Sequence, residues 1–230
     1  MRKISAVMFD LDDTLYPENE YKRSGFRHVA KLMADEDFIW NLLTKLDSES
    51  ERPITEVVNY LVREYREHEP DIECYDDVEP VIKALRECYK IGLITNDRFG
   101  VQSRKLEALG IAHLFDVVVY ATPPDMKPST KPYELAIERL GVEAEQCVYV
   151  GDNLEVDFVG ANALAIRTVL IERKNRMKPT GPCVNERWEP TERIGSLYEL
   201  EAILRDFQEN GGMRGHRGCG AGGYSVCPGN

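Results

Sequence analysis

Nowhere in its 230 residues does this chain offer 18 consecutive apolar side chains, so no segment reads as a membrane-spanning helix. Basic residues are the minority, 29 Lys and Arg against 40 Asp and Glu, and a formal charge of −11 makes nucleic acid or an anionic membrane a poor partner. The six cysteines (Cys74, Cys88, Cys147, Cys183, Cys219, Cys227) are scattered without a C-x-x-C pair. That distribution suits reduced thiols and excludes a disulfide framework or a zinc ribbon. The N-terminus MRKISAVMFDLDD carries charge on both sides of its short apolar run, unlike a secretory signal. With 43% hydrophobic residues the chain can bury a core, which excludes disorder throughout. A soluble, cytoplasmic protein is expected.

Apolar runs at 4–9, 91–95, 117–120, 147–150 and 168–171 alternate with segments at 81–89, 101–109, 133–140 and 156–164 whose apolar residues recur every three or four positions. Glycine closes two of those segments, at Leu109-Gly110 and Leu140-Gly141. This alternation predicts an α/β protein with a doubly wound, Rossmann-like, mostly parallel sheet. Between the first two runs no strand candidate occurs, and Val57, Tyr60, Leu61 and Tyr65 keep helical spacing. The chain therefore divides into a core at 1–16 and 74–208, an all-helical insert at 17–73, and a Gly-rich tail at 209–230. The last twenty residues hold eight of the seventeen glycines and few aliphatic side chains, too few to offset ordering entropy, so the tail reads as disordered.

The first run ends in Asp10-Leu11-Asp12-Asp13-Thr14. Chance supplies about one D-x-D pair in a chain with this many Asp, and there are two. Asp35-x-Asp37 lies in a polar helical context and reads as a solvated face. Asp10-x-Asp12 instead leaves a buried strand at the carboxyl edge, where open α/β sheets bind ligands. Thr95 and Asn96 close the second run, Lys127 lies in the Pro-rich loop after the third, and Asp152 closes the fourth, with Asp157 five residues on. Taken singly, each has a plainer reading as a helix cap or a turn residue. Projecting from one edge of one sheet, they suit phosphoryl transfer. Clustered carboxylates without His or Cys call for a hard divalent cation such as Mg²⁺. Ester cleavage also needs a nucleophile, a proton for the departing alkoxide, and positive charge on the phosphoryl oxygens. Asp10, Asp12, and Lys127 with the metal meet those needs in turn.

The strings FDLDDTLY, LITN, MKPSTKPYELAIERLGV and VYVGDNLEVDFVGA resemble, in order and spacing, the four motifs of the haloacid dehalogenase superfamily of hydrolases. The resemblance spans roughly 4–172, and the helical insert is similar to the small C1-type cap of subfamily I. It implies that Asp10 is a nucleophile forming an aspartyl-phosphate and that Asp12 is general acid and then base. It also implies that Thr95 and Asn96 bind the phosphoryl group with Lys127, that Mg²⁺ is held by Asp10, Asp152 and the main-chain carbonyl of Asp12, and that Asp157 supports the site from behind. Both Lys127-Pro128 and Lys131-Pro132 look like the family's Lys-Pro. The family's usual interval back from its Leu-Gly-Val, here Leu140-Gly141-Val142, falls on Lys127, with Lys131 the second choice.

The superfamily includes dehalogenases, sugar-phosphate mutases and non-catalytic regulatory members, and fold alone does not choose among them. Dehalogenases generally lack an Asp at the position of Asp12, and regulatory members commonly lose a catalytic Asp, so an Mg²⁺-dependent phosphatase is expected. Its partner would be a small phosphorylated metabolite, its state a monomer or homodimer. In the insert, Tyr21, Arg23, Arg27, His28 and Trp40 are candidate substrate contacts. His216, Cys219 and Cys227 in the tail match no zinc spacing.

Overall fold

The structure is a computed structural model and describes residues 3–49, 52–174, 176 and 185–209. Six strands, β1 (Ala6–Phe9), β2 (Lys90–Asn96), β3 (Val117–Ala121), β4 (Cys147–Gly151), β5 (Arg167–Ile171) and β6 (Glu192–Ile194), form one parallel sheet ordered β3-β2-β1-β4-β5-β6. Burial on both faces explains why β1 and β4 read as unbroken apolar runs. Side chains alternate across β1, so Val7 and Phe9 enter one core while Ala6 and Met8 enter the other. Helices α4 (Val78–Arg86), α5 (Phe99–Leu109) and α8 (Leu200–Glu209) cover the first face. On the second lie α6 (Lys131–Leu140) and α7 (Leu154–Ala163). Gly110 and Gly141 end α5 and α6 with φ of 68° and 62°, as their positions in the sequence suggest.

Between β1 and α4 the chain builds α1 (Glu18–Met33), α2 (Glu36–Glu49) and α3 (Pro53–Glu67). Helices α1 and α3 pack together through Tyr21, Tyr65 and His68, and α3 also reaches α5. Asp35 and Asp37 are exposed, and Asp35 Oδ1 accepts from the Phe38 N–H at 2.9 Å at the start of α2. Among the described residues, no helix is long and apolar enough to cross a membrane.

Two elements have no counterpart in the sequence pattern. Strand β6 is three residues long and buries only Ile194 fully, too short to display a period. Helix α8 buries Leu200, Leu204 and Phe207 at helical spacing and closes the first face. Helix α4 begins three residues before the periodic segment, at Val78. Cys74, Cys88 and Cys147 are free. Apart from Glu209, the expectation of a disordered tail, with His216, Cys219 and Cys227, lies outside the described residues, as does Cys183.

A buried clasp fixes the exit from β1. Arg173, two residues past β5, donates from Nε and Nη2 to the Thr14 carbonyl at 3.0 and 2.9 Å and from Nη1 to Asp77 Oδ2 at 2.7 Å. Ser196 Oγ and the Leu197 N–H also donate to Asp77 Oδ2. Burial alone would raise the Asp77 pKa, but the bonds from Arg173 and Ser196 outweigh it and hold the carboxyl below its ordinary range. Replacing Arg173 by Met should leave Asp77 buried without its counter-ion and lower unfolding stability by about 3 kcal/mol. Urea unfolding at neutral pH measures this; a loss under ~0.5 kcal/mol would remove the clasp as a structural tie.

Candidate active site

The sheet sets the site by register. β1 lies beside β4 with Phe9 opposite Val150, and the Asp10 N–H still donates to the Val150 carbonyl at 2.9 Å. Asp10 and Asp152 therefore leave neighbouring strands side by side. Gly151 is required between them and α7, because a Cβ there would lie 2.6 Å from the Asp157 carboxylate. That carboxylate accepts from the N–H groups of Asp152 and Asn153 at 3.2 and 2.9 Å, while Asn153 Oδ1 caps α7 at Glu155 and Val156.

Lys127 arrives from the loop after β3. Its Nζ lies 2.5 Å from Asp10 Oδ1, 2.7 Å from Asp157 Oδ1 and 2.9 Å from the Tyr149 hydroxyl. The loop is held from two sides. Asn96 Nδ2 donates to the Lys127 carbonyl and Asn96 Oδ1 accepts from the Lys127 N–H, each at 3.0 Å. On the other side Gly160 lets α7 approach, since a Cβ would stand 2.7 Å from the Pro128 and Ser129 carbonyls. Lys131, the second choice from the sequence, is the first residue of α6, 64% exposed and 3.6 Å from Glu134.

Asp12 has partners of its own, apart from those of Lys127. Its Oδ1 accepts from Lys105 Nζ at 2.7 Å and from the Tyr16 hydroxyl, and its Oδ2 accepts from Gln102 Nε2 at 3.0 Å. Its side chain is thus committed elsewhere than to a metal beside Asp10. The side-chain oxygens that do come together, within 4.8 Å of one another, belong to Asp10, Asp152 and Asp157. Thr95 is fully buried at the end of β2, and its hydroxyl has no partner among the described residues. An orphaned hydroxyl at this depth is costly unless something binds it.

Electrostatics follow from this crowding. Burial pushes the Asp10 carboxyl up to about 7, against the attraction of Lys127. Asp152 is pushed up to about 9 by burial and by the charges of Asp157 and Asp10, with Arg176, 2.7 Å from its Oδ2, opposing. Burial works against the charge on Lys127, but Asp10 and Asp157 outweigh it and hold its pKa above the ordinary value. For Asp12 burial is outweighed by the charge of Lys105 and three hydrogen bonds, and its pKa falls. An excess of oxygen donors over positive charge, without sulfur or imidazole, fits a hard divalent cation.

A cavity of about 260 Å³ opens here, lined by Asp10, Asp12, Lys127, Asp152 and, from α1, Glu18 and Lys22. Of the insert residues singled out in the sequence, Tyr21 is buried with its ring centroid 4.5 Å from Lys105 Nζ. Arg27 pairs with Asp71 and His28 with Glu64, Arg23 is exposed, and Trp40 is 68% exposed. Asn96 lines the cavity, and its side-chain amide also grips the Lys127 main chain. Lys105, Gln102, Lys22 and Arg176 escaped the sequence reading. Only Gln102 and Lys105 carried a signal, as polar residues on the inner face of α5.

The profile of the haloacid dehalogenase-like hydrolases matches residues 7–171. The chain is 32% identical to a glyceraldehyde 3-phosphate phosphatase of Methanopyrus kandleri, over 90% of this chain and all of that protein. It is 29% identical to a pyrophosphatase PpaX of Halalkalibacterium halodurans, over 74% of this chain and 84% of that one. Its fold superposes on a 2-haloacid dehalogenase from Pseudomonas syringae with a TM-score of 0.64, at 20% identity, covering 89% of this chain and 99% of that one.

The acidic cluster makes stability depend on pH with a definite sign. Carboxyls whose folded pKa is raised bind more protons folded than unfolded, so their contribution is present below about pH 4 and is lost as pH rises towards about 9. Without divalent ions, the melting midpoint should fall more steeply between pH 5 and 9 in the wild type than in Asp152→Asn. Added Mg²⁺ should restore it at the alkaline end in the wild type alone. Equal slopes in the two proteins would show that Asp152 does not carry the repulsion.

Proposed function

This chain belongs to the haloacid dehalogenase-like hydrolase family, and we propose that it is a Mg²⁺-dependent phosphatase of a small phosphorylated metabolite, working through a phosphorylated Asp10. Hydrolysis of a phosphoric monoester agrees with the relative named a glyceraldehyde 3-phosphate phosphatase. The observation that carries the reading is the meeting of Asp10, Lys127 and Asp152 around one small cavity with more negative than positive charge.

In the first step an Asp10 oxygen attacks phosphorus, the ester P–O bond breaks, and the departing alkoxide takes a proton from the Asp12 carboxyl. In the second, the Asp12 carboxylate takes a proton from water, whose oxygen attacks phosphorus. The acyl phosphate bond then breaks, returning the Asp10 carboxylate and inorganic phosphate. Lys127 offsets charge on the phosphoryl oxygens and on Asp10, and the Thr95 hydroxyl donates to the phosphoryl group. Asp157 holds Lys127 and the turn at Asp152. Mg²⁺ would be held by Asp10, Asp152 and the Asp12 main-chain carbonyl, and when bound it supplies positive charge to the phosphoryl oxygens.

The insert at 17–73 acts as a cap that excludes water and selects the leaving group. A cavity of about 260 Å³, walled on that side by Glu18 and Lys22, suits a compact ester of the size of a triose phosphate. The formal charge of −11 suits work on a small metabolite rather than on nucleic acid.

Phosphate release from para-nitrophenyl phosphate tests this. Turnover is expected with Mg²⁺, not with EDTA, and a drop on the order of 10⁴ in Asp10→Asn with its fold retained by circular dichroism. Full activity in that variant would overturn the mechanism.

A further inference from the structure

Helix α5 buries Val101, Gln102, Lys105 and Leu106 on the face it turns inward. A lysine whose side chain is 4% exposed is rare unless it is paired, and Lys105 is paired with Asp12 alone among the described carboxylates. Its ammonium also stands 4.5 Å from the ring centroid of Tyr21 in α1 and 5.8 Å from that of Tyr16. Gln102 Nε2 donates to Asp12 Oδ2 and, at 2.5 Å, to the carbonyl of Asn96, which ends β2. Both oxygens of Asp12 are thereby fixed from α5 and from the turn after β1, while the carboxylate stays 26% exposed and lines the cavity.

Stability does not account for this arrangement. A buried ion pair rarely outperforms apolar residues of the same volume, and Val101 and Leu106 show that the face is otherwise built for them. What a fixed cation and amide do supply is a single orientation for a carboxylate that would otherwise sample several rotamers. A displacement of about 1 Å in a reacting group can cost about a hundredfold in rate.

We propose that Lys105, assisted by Gln102, is a positioning residue that holds the Asp12 carboxylate against the cavity where the leaving group departs and ties that placement to the helical insert through Tyr21; this rests on Asp12 being the acid and base of the proposed phosphatase. Asp10 and Asp12, two residues apart, thus have separate cations on separate elements, Lys127 on the loop after β3 and Lys105 on α5.

The test is kcat and KM for a series of phenyl phosphates, from 4-nitrophenyl to unsubstituted phenyl, with Mg²⁺, for wild type, Asp12→Asn, Lys105→Met, Lys105→Arg and the double variant D12N/K105M. A proton donor matters more as the leaving group becomes more basic, so kcat should fall more steeply along the series in Asp12→Asn than in the wild type. Lys105→Met should share that steeper dependence, losing about tenfold more on phenyl than on 4-nitrophenyl phosphate, with KM changed less than about threefold. Lys105→Arg should recover most of the loss. In the Asp12→Asn background, Lys105→Met should add less than about twofold, because its effect passes through Asp12. Should Lys105→Met fail to fold by thermal melting, Lys105→Gln is expected to show the same split. A wild-type slope in the Lys105 variants beside a steeper one in Asp12→Asn overturns the proposal alone, as do losses that multiply in the double variant. A wild-type slope in Asp12→Asn removes the acid role of Asp12 and the proposal with it.

Discussion

The ammonium of Lys127 sits, almost wholly enclosed, between the carboxylates of Asp10 and Asp157, and the geometry of the carboxyl edge follows from that contact. A buried charge is tolerated only with partners close by. Burial first, and then the neighbouring carboxylates that one lysine cannot balance, drive Asp10 and Asp152 towards their protonated forms despite Lys127 and Arg176. The edge therefore favours whatever brings positive charge to it. A phosphate monoester brings the opposite sign, which makes its binding depend on a cation already in place. Affinity for the ester and occupancy by a divalent ion are then coupled through one local charge balance.

That contact depends in turn on how a parallel sheet presents its ends. Asp10 and Asp152 are 142 positions apart in sequence yet leave adjacent strands in register, because β4 returns next to β1 after two crossovers on the opposite side. Lys127 is brought across by the loop after β3, which Asn96 grips at the end of β2. The clasp from Arg173 to the Thr14 carbonyl holds the turn carrying Asp12 and Asp13. Asp13 takes a positive φ of 53° there and spends its carboxylate on the Glu18 N–H, starting the first helix of the insert. One short turn so serves both the chemistry and the attachment of the insert.

Much of this was legible from residue order, for physical reasons. Strands buried on both faces leave continuous apolar runs, and acids directly after such runs are conspicuous, which is how Asp10, Asp12 and Asp152 stood out. Glycines at 110 and 141 marked helix ends because only the left-handed region closes those turns cheaply. The choice of Lys127 over Lys131 followed from an interval, and the two now lie in contrasting places, one in the acidic cluster and one on the outside of α6. Other features leave no such trace. β6 is too short for periodicity, and the use of Asn96 as a grip on the Lys127 loop depends on a contact 31 residues away. Gln102 and Lys105 lie on the inner face that Val101 and Leu106 mark, but the sequence does not say that they meet Asp12 there. Glu18 and Lys22 reach the cavity only because the turn after β1 aims α1 across it.

The opposite perturbations of Asp10 and Asp12 bear on how two carboxyls so close in sequence can take different parts. Environments that push two titratable groups apart are a recurrent basis for dividing nucleophile from acid. Asp10 is raised and Asp12 lowered, the reverse of what the proposed first step of attack and proton donation needs. In the proposed reaction, metal and substrate would act on the two carboxyls in opposite directions. A divalent ion held by Asp10 and Asp152 would offset the burial that raises Asp10 and favour its ionised form. The negative charge of an incoming phosphate acts on Asp12 as a like charge and favours its protonated form. In the proposed reaction Lys105, which lowers the Asp12 pKa, would favour its return to the carboxylate that takes a proton from water. The cation on α5 is thus compatible with both halves of the proposed reaction, in which substrate and metal, rather than the protein alone, would set the protonation of the first.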